Sequence, residues 1–227
     1  MFLVSPIILL ASFFGIKGGN FIYKILRFWA RLWYTSVGIW HQEIYEFPHD
    51  ATKQFIFVGN HISYMDVPAV IASIHQPIRV LGKYEMIKIP IFGLIYKATV
   101  ILVDRRNAAK RAQSVRALKS ALAKGISVFI FPEGTFNETS KPMIPFFDGA
   151  FRIAIETQTN IKPILFLDTL ERMHYKTVFT LSPGKNRTIY LEEVNVIGLS
   201  LKDLPLLKLA VFTQMETYLS RFKNYDC

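Results

Sequence analysis

The chain has 227 residues, of which 51% are hydrophobic and 19% charged, a length that holds one domain with a complete core. Its mean hydropathy of +0.27 is high for a freely soluble protein, and 27 Lys+Arg against 17 Asp+Glu give a net charge of +10. The basic residues form no dense tract, and the sequence has neither zinc-finger spacing nor a recognisable RNA-binding motif. The positive charge therefore favours an anionic membrane as the partner and argues against nucleic acid.

The N-terminal region carries more bulky apolar side chains than one docking face requires. Residues 2–16 form a nearly unbroken apolar run, about 23 Å long as a helix against a hydrocarbon core of about 30 Å. Residues 17–20 predict a turn, and residues 21–40 mix lysine and arginine with all three tryptophans, a composition typical of the headgroup layer. We predict a membrane-associated helical hairpin in residues 1–45, either spanning the bilayer or lying in one leaflet. The alternative is a core helix docked on the domain.

From residue 46 to residue 227 the pattern predicts an α/β domain. Five short apolar runs are typical of buried strands, namely residues 55–59, 78–82, 100–103, 127–131 and 161–167. Helices are predicted at three places, namely from Asn107 to a stop at Gly125, over residues 147–157, and over about 204–222. Residues 175–181 and 188–194 predict a hairpin. The alternation indicates a mixed, mainly parallel central sheet flanked by helices.

Asn60, His61 and Asp66 directly follow the strand predicted at residues 55–59. Active-site groups favour the carboxyl ends of strands in such sheets, and histidine suits proton transfer near neutral pH. A carboxylate can hold the imidazole in one tautomer and stabilise its charged form. In a regular helix the five-residue spacing separates His61 and Asp66 by about 140°, so contact requires a turn between strand and helix. Taken alone, the spacing is more typical of a structural histidine.

Two further polar groups also follow predicted strands. The sequence Phe131-Pro-Glu-Gly-Thr135 predicts a tight turn whose N–H groups could face an anion or a carbonyl oxygen. Within it, Glu133 is a poor core residue, which must be exposed, paired or functional. Asp104-Arg105 follows residues 100–103, and arginine can bind phosphate in bidentate fashion. Each group alone is also typical of an ordinary turn or a charged surface, but all three are expected to meet at one edge of the sheet.

These groups, in this order, resemble the blocks of the glycerophospholipid acyltransferase family, which includes the 1-acyl-sn-glycerol-3-phosphate (lysophosphatidate) acyltransferases. The resemblance covers about residues 55–167. The matching segments are Asn60–Asp66, the hydrophobic run with Asp-Arg at Val100–Arg105, Phe131–Thr135, and the hydrophobic residues around Pro163. The chain departs from residues common in the family at Thr99, Phe136, Asn137 and Asp148, near the expected contacts to the acceptor headgroup.

The resemblance implies that His61, aided by Asp66, deprotonates a hydroxyl of a lysophospholipid for attack on an acyl thioester. It implies that Arg105 holds the acceptor's phosphate, while Glu133, Gly134 and Thr135 shape the same pocket. The expected acceptor is lysophosphatidate, with another lysolipid, such as an amino-acid-containing one, as the alternative. The donor is a thioester of acyl carrier protein or coenzyme A, and no metal or organic cofactor is implied.

Two other classes of function fit the sequence less well. A basic protein that only binds anionic membrane is opposed by the His61–Asp66 pair and Glu133, and a serine hydrolase by the lack of a Gly-x-Ser-x-Gly elbow. We expect an enzyme associated with membrane lipids at the cytoplasmic face, and the single cysteine, Cys227, fits a reducing compartment. The basic residues on the helix that begins near Asn107 predict a solvated face or, alternatively, a landing site for an acidic acyl carrier protein.

Overall fold

The computed structural model describes residues 10–11, 14–84, 87, 96, 100–103 and 107–223. Its strands are β1 Ile39–Tyr45, β2 Ile56–Gly59, β3 Ile78–Lys83, β4 Val100–Val103, β5 Ser127–Ile130, β6 Ile161–Phe166 and β7 Gly184–Tyr190. Its helices are α1 Gly15–Ser36, α2 Asp66–Ser73, α3 Ala108–Ala123, α4 Gly149–Thr157, the single turn α5 Thr169–Arg172, and α6 Leu204–Lys223. Short 3₁₀ turns cover Val178–Thr180 and Leu201–Asp203.

The strands form one sheet in the order β1-β7-β6-β2-β5-β3-β4. The pairs among β2 to β6 are all parallel, whereas β7 runs antiparallel to β6 and parallel to β1. The carboxyl ends of β2 to β6 therefore meet the amino ends of β1 and β7 at one border, here named the C-terminal edge. This arrangement confirms the predicted mixed, mainly parallel sheet, including all five predicted strands.

Helices cover both faces of the sheet. Successive residues of a strand point to opposite faces, so β2 directs Ile56 and Val58 to one side and Phe57 to the other. Ile56 and Val58 pack in a core with apolar residues of α3, α4 and α6. Phe57 packs in a second core with Phe129 of β5 and residues of α1 and α2. Because both faces are buried, the central strands read as continuous apolar runs.

The N-terminal region differs in part from its prediction. Helix α1 continues through residues 17–20, where the sequence predicts a turn, and residues 39–45 form strand β1 instead of part of the helical hairpin. In this edge strand Ile39 is buried and Trp40 exposed, so it lacks the continuous apolar run that marks a central strand. Most of residues 2–16, the first predicted arm, lie outside the described residues. Within the described ranges no helix is both long and apolar enough to cross a bilayer.

The structure also lacks, among its described residues, the hairpin predicted for residues 175–181 and 188–194. Residues 175–181 form a loop with one 3₁₀ turn, and β7 pairs with β1 and β6 instead. In the loop the Thr177 hydroxyl accepts a hydrogen bond from the Phe179 N–H at 3.2 Å. Such local side-chain bonds give the backbone an alternative to a ladder of strands.

Gly59, the last residue of β2, is closely surrounded by aromatic rings. A Cβ atom there would lie 2.9 Å from Cζ of Phe129 and 3.0 Å from Cε2 of Phe166. We expect Gly59→Ala to lower the free energy of unfolding by about 1–3 kcal/mol, because overpacking forces buried groups apart. Gly149→Ala is the control, since a Cβ there meets no atom within 4 Å. Urea unfolding measures both, and an equal loss in the two variants would contradict the prediction.

Candidate active site

His61 and Asp66 meet at the junction between β2 and α2. Asp66 is the first residue of α2 and is fully buried. One of its oxygens, Oδ2, lies 2.8 Å from His61 Nδ1 and accepts the backbone N–H groups of Ile62 at 2.7 Å and Ser63 at 2.8 Å. The chain turns around this oxygen, which is the turn that the five-residue spacing required. A carboxylate only accepts, so Nδ1 carries the proton and Nε2 is the ring nitrogen that Asp66 does not use.

The residues that flank this turn are held by hydrogen bonds to distant backbone. The Asn60 side chain donates to the Phe166 carbonyl at 3.0 Å and accepts from the Phe166 N–H at 2.8 Å, which ties the end of β2 to the end of β6. The Ser63 hydroxyl donates to the carbonyl of Met173 and accepts from the N–H of Met65. Asn60 and Ser63 therefore position the turn that carries His61.

Glu133 lies beneath His61 and is 1% exposed. Its Oε1 accepts the backbone N–H of His61 at 2.8 Å, and its Oε2 accepts the N–H of Ile144 at 3.1 Å. Burial raises the pKa of the Glu133 carboxyl to about 7; the two N–H donors oppose that shift, and the nearby negative charge of Asp66 adds to it. The Asn137 N–H donates to the His61 carbonyl at 2.7 Å, so one segment holds both polar groups of the His61 backbone.

The rest of this segment forms the expected tight turn at the end of β5. Gly134 has a φ of 74°, a conformation that glycine adopts without steric cost, and its N–H donates to the Phe131 carbonyl at 3.1 Å. The Pro132 carbonyl accepts from the Phe147 N–H at 2.9 Å, while Thr135 is exposed. The turn thus brings Glu133 to His61 and leaves Thr135 at the surface of the C-terminal edge.

The raised pKa of Glu133 predicts a pH-dependent stability. Between its ordinary pKa of 4.5 and about 7, the folded protein binds more protons at Glu133 than the unfolded chain does, so this group's contribution falls as pH rises. Glu133→Gln removes that titration. The free energy of unfolding of the wild type, relative to the variant, should therefore decrease from pH 4.5 to 7 and level off above it. Urea unfolding at a series of pH values measures this difference, and a difference independent of pH would contradict the prediction.

Aromatic side chains surround the imidazole of His61. Its ring stacks on Phe131 with centroids 3.8 Å apart and lies 4.4 Å from the ring of Phe136. Phe136 in turn contacts Tyr64 edge-on at 4.9 Å and lies 6.4 Å from Tyr175. From the sequence, Phe136 is recognisable only as a departure from the family pattern. No sequence pattern predicts that Tyr64 and Tyr175 lie near the site. The mouth of the site beside His61 is therefore aromatic.

The third predicted group directly follows β4 in the sequence. Asp104 and Arg105, the predicted phosphate ligand, are outside the described residues. The helix predicted after them is confirmed, since the Asn107 side chain caps α3 by accepting the Lys110 N–H at 3.1 Å. In the described part of the chain no group of three or more histidine, cysteine, aspartate or glutamate residues could hold a metal ion.

Fold and site together define an α/β protein with a hydrogen-bonded histidine–aspartate pair at the C-terminal edge of a mainly parallel sheet. A family model described as Acyltransferase matches residues 42–167, more than half of the sequence. The chain therefore belongs to the acyltransferase family, and the predicted resemblance is confirmed.

Several curated relatives are named 1-acyl-sn-glycerol-3-phosphate acyltransferase. The protein of Haemophilus influenzae is 28% identical over 167 residues, covering 72% of this chain and 68% of that protein. The protein of Salmonella typhimurium is 31% identical over 121 residues, covering 52% and 49%, and the alpha form of Mus musculus is 28% identical over 168 residues, covering 73% and 59%. The matched part of the chain thus covers about half to about two thirds of the length of these relatives.

One solved structure is similar over nearly the whole chain. The 1-acyl-sn-glycerophosphate acyltransferase of Thermotoga maritima superimposes with a TM-score of 0.76 and 21% identity, covering 99% of this chain and 90% of that one. At this identity the likeness establishes the fold, in agreement with the sheet and helices described above.

Proposed function

We propose that this protein transfers a fatty acyl group from an acyl thioester to the free hydroxyl of lysophosphatidate, giving phosphatidate. The observation that carries the proposal is the fully buried Asp66 bound to Nδ1 of His61 at 2.8 Å, at the edge of the sheet where active sites form. The names of the relatives support the acceptor. The donor is a thioester of acyl carrier protein or of coenzyme A.

In this mechanism His61 acts as the general base. Its Nε2 takes the proton of the acceptor hydroxyl as the oxygen attacks the thioester carbonyl carbon, and the tetrahedral intermediate collapses by expelling the thiolate, which takes the proton back. The carboxylate of Asp66 stabilises the imidazolium that forms in between. General-base help contributes about 10²–10⁴ in rate, so positioning and stabilisation of the oxyanion supply the rest.

Other residues have supporting parts in the proposal. Glu133 positions His61 through its backbone N–H, and with Gly134 and Thr135 it shapes the pocket in which the acceptor lies. Arg105 holds the acceptor's phosphate, because a guanidinium matches two phosphate oxygens. A second candidate acceptor is another lysolipid with a different headgroup. The aromatic side chains around His61, and Phe136 in particular, favour it.

We infer that the N-terminal helices associate with the cytoplasmic face of a membrane. On α1 the exposed residues Phe21 and Phe28 are seven apart, and so are the exposed residues Lys24 and Arg31. Residues seven apart lie on the same side of a helix, so an apolar stripe runs beside a basic one. Such a surface fits the boundary between anionic headgroups and acyl chains.

The experiment is an acceptor-by-donor panel on the purified full-length protein. Lysophosphatidate, lysophosphatidylcholine and an amino-acid-containing lysolipid are each paired with palmitoyl coenzyme A and palmitoyl acyl carrier protein, and products are measured by mass spectrometry. Phosphatidate formed from lysophosphatidate with either donor supports the proposal. Acylation of another lysolipid alone would replace the acceptor, and no product in any pairing would overturn the proposed activity.

A further inference from the structure

Large apolar side chains are exposed at the C-terminal edge, around the site of His61. Tyr64 follows β2, Phe147 lies in the loop after β5, and Phe179 and Leu181 lie between β6 and β7. Trp40 stands at the start of β1, which lies at the same edge. Single exposed apolar residues are ordinary, but a group at one edge marks an interaction surface.

Phe179 is the most exposed of these side chains, at 93%, and it lies in a loop, residues 173–183, that is held at both ends. The His174 N–H donates to the Thr180 hydroxyl at 2.8 Å, and the Ser182 N–H donates to the Arg172 carbonyl at 2.8 Å. Phe179 therefore projects from a braced loop.

The loop is also continuous with the candidate active site. Tyr175, near its start, lies 6.4 Å from Phe136, whose ring is 4.4 Å from that of His61. The loop that carries Phe179 therefore adjoins the mouth of the site.

Exposed cations flank the apolar tip of this loop. Lys176 precedes Phe179, Lys185 follows Leu181, and both lysines are exposed. Lys185 is paired in register with Trp40 on β1. Lysines beside exposed aromatic and aliphatic side chains match an anionic lipid surface, in which phosphates lie above the acyl chains, and the net charge of +10 has the complementary sign.

We propose that residues 173–183 form a membrane-insertion loop, in which Phe179 and Leu181 enter the boundary between headgroups and acyl chains. Lys176 in the loop and Lys185 on the adjoining strand β7 contact lipid phosphates. This loop adjoins the C-terminal end of α1, where Met173 packs in one core with Tyr34, and it sets the mouth of the site against the bilayer. One consequence, which rests on the proposed function, is that a lysolipid reaches His61 without leaving the membrane surface.

The test uses the full-length protein with an environment-sensitive fluorophore at one cysteine. Cys227→Ser removes the native thiol, and Phe179→Cys supplies the labelling site. The control is Ile197→Cys, also exposed but near the start of β6, at the opposite edge, where the Val196 N–H donates to the Asn160 side chain at 3.0 Å. The probes are vesicles of phosphatidylglycerol with phosphatidylcholine, and vesicles of phosphatidylcholine alone.

On anionic vesicles the label at position 179 is expected to shift to shorter wavelength, brighten at least two-fold, and be quenched by brominated acyl chains, with a smaller change on phosphatidylcholine alone. The label at position 197 should change little. An unchanged label at position 179 would overturn the insertion loop, whether or not the protein sediments with the vesicles. Acyl transfer by the wild type in detergent micelles is measured separately, so a failure of the proposed activity is distinguished from a failure of insertion.

Discussion

Replacement of His61 by alanine is expected to lower kcat for acyl transfer by about 10²–10⁴-fold, the usual contribution of a general base. The fold should survive, because Glu133 and Asn137 bind the backbone of His61, and these bonds do not depend on the imidazole. Asp66 also keeps its bonds to the N–H groups of Ile62 and Ser63. The effect should therefore fall on the chemical step.

His75 provides a matched control for this variant. Its Nε2 also lies 2.8 Å from a carboxylate oxygen, that of Glu43, but it follows the end of α2, away from the C-terminal edge. His75→Ala should leave kcat within a factor of about two, as expected for a surface substitution remote from the site. Initial rates with a labelled acyl thioester, together with thermal unfolding of both variants, measure the contrast. Wild-type kcat in His61→Ala would remove His61 from the mechanism.

The central strands and the amphipathic helices could be predicted from the sequence because each carries a local pattern. Strands buried on both faces read as apolar runs, and α3 has apolar residues at helical spacing between Asn107 and Gly125. Strand β1 could not be predicted this way, because it lies at the border of the sheet with Trp40 exposed. The direction of β7 depends on its pairing with β1 and β6, which no local pattern encodes.

Only those parts of the candidate site that depend on residues close in sequence, or on the shared edge of parallel strands, could be predicted. The turn between β2 and α2 brings His61 to Asp66 within five residues of sequence, and the ends of parallel strands place Glu133 at the same edge. The bond from the His61 N–H to Glu133, however, joins residues 72 apart, and that from Asn60 to Phe166 joins residues 106 apart. These bonds follow from the register of β2 with β5 and β6, which exists only in the folded sheet.

The second large effect is expected at Asp66, where two substitutions separate charge from shape. Oδ2 alone accepts the bonds from His61, Ile62 and Ser63, while Oδ1 has no hydrogen-bond partner among the described residues. In Asp66→Asn the amide oxygen can occupy the place of Oδ2 and keep all three bonds, while the negative charge is lost and the NH2 group takes the place of Oδ1. Bonds to charged groups contribute about 1.5–3 kcal/mol against about 0.5–1.5 for neutral ones, so kcat should fall about ten-fold as the imidazolium loses its counterion.

Asp66→Ala also removes the acceptor, which leaves the buried N–H groups of Ile62 and Ser63 without a partner, at a cost of about 1–3 kcal/mol each. Its kcat should fall more than that of Asp66→Asn, and its free energy of unfolding should drop by several kcal/mol. Initial rates and urea unfolding of the two variants, measured together, separate the two roles. If Asp66→Asn kept wild-type kcat while Asp66→Ala lost it, Asp66 would act by holding the turn and orienting the ring, and stabilisation of the imidazolium by its charge would be ruled out.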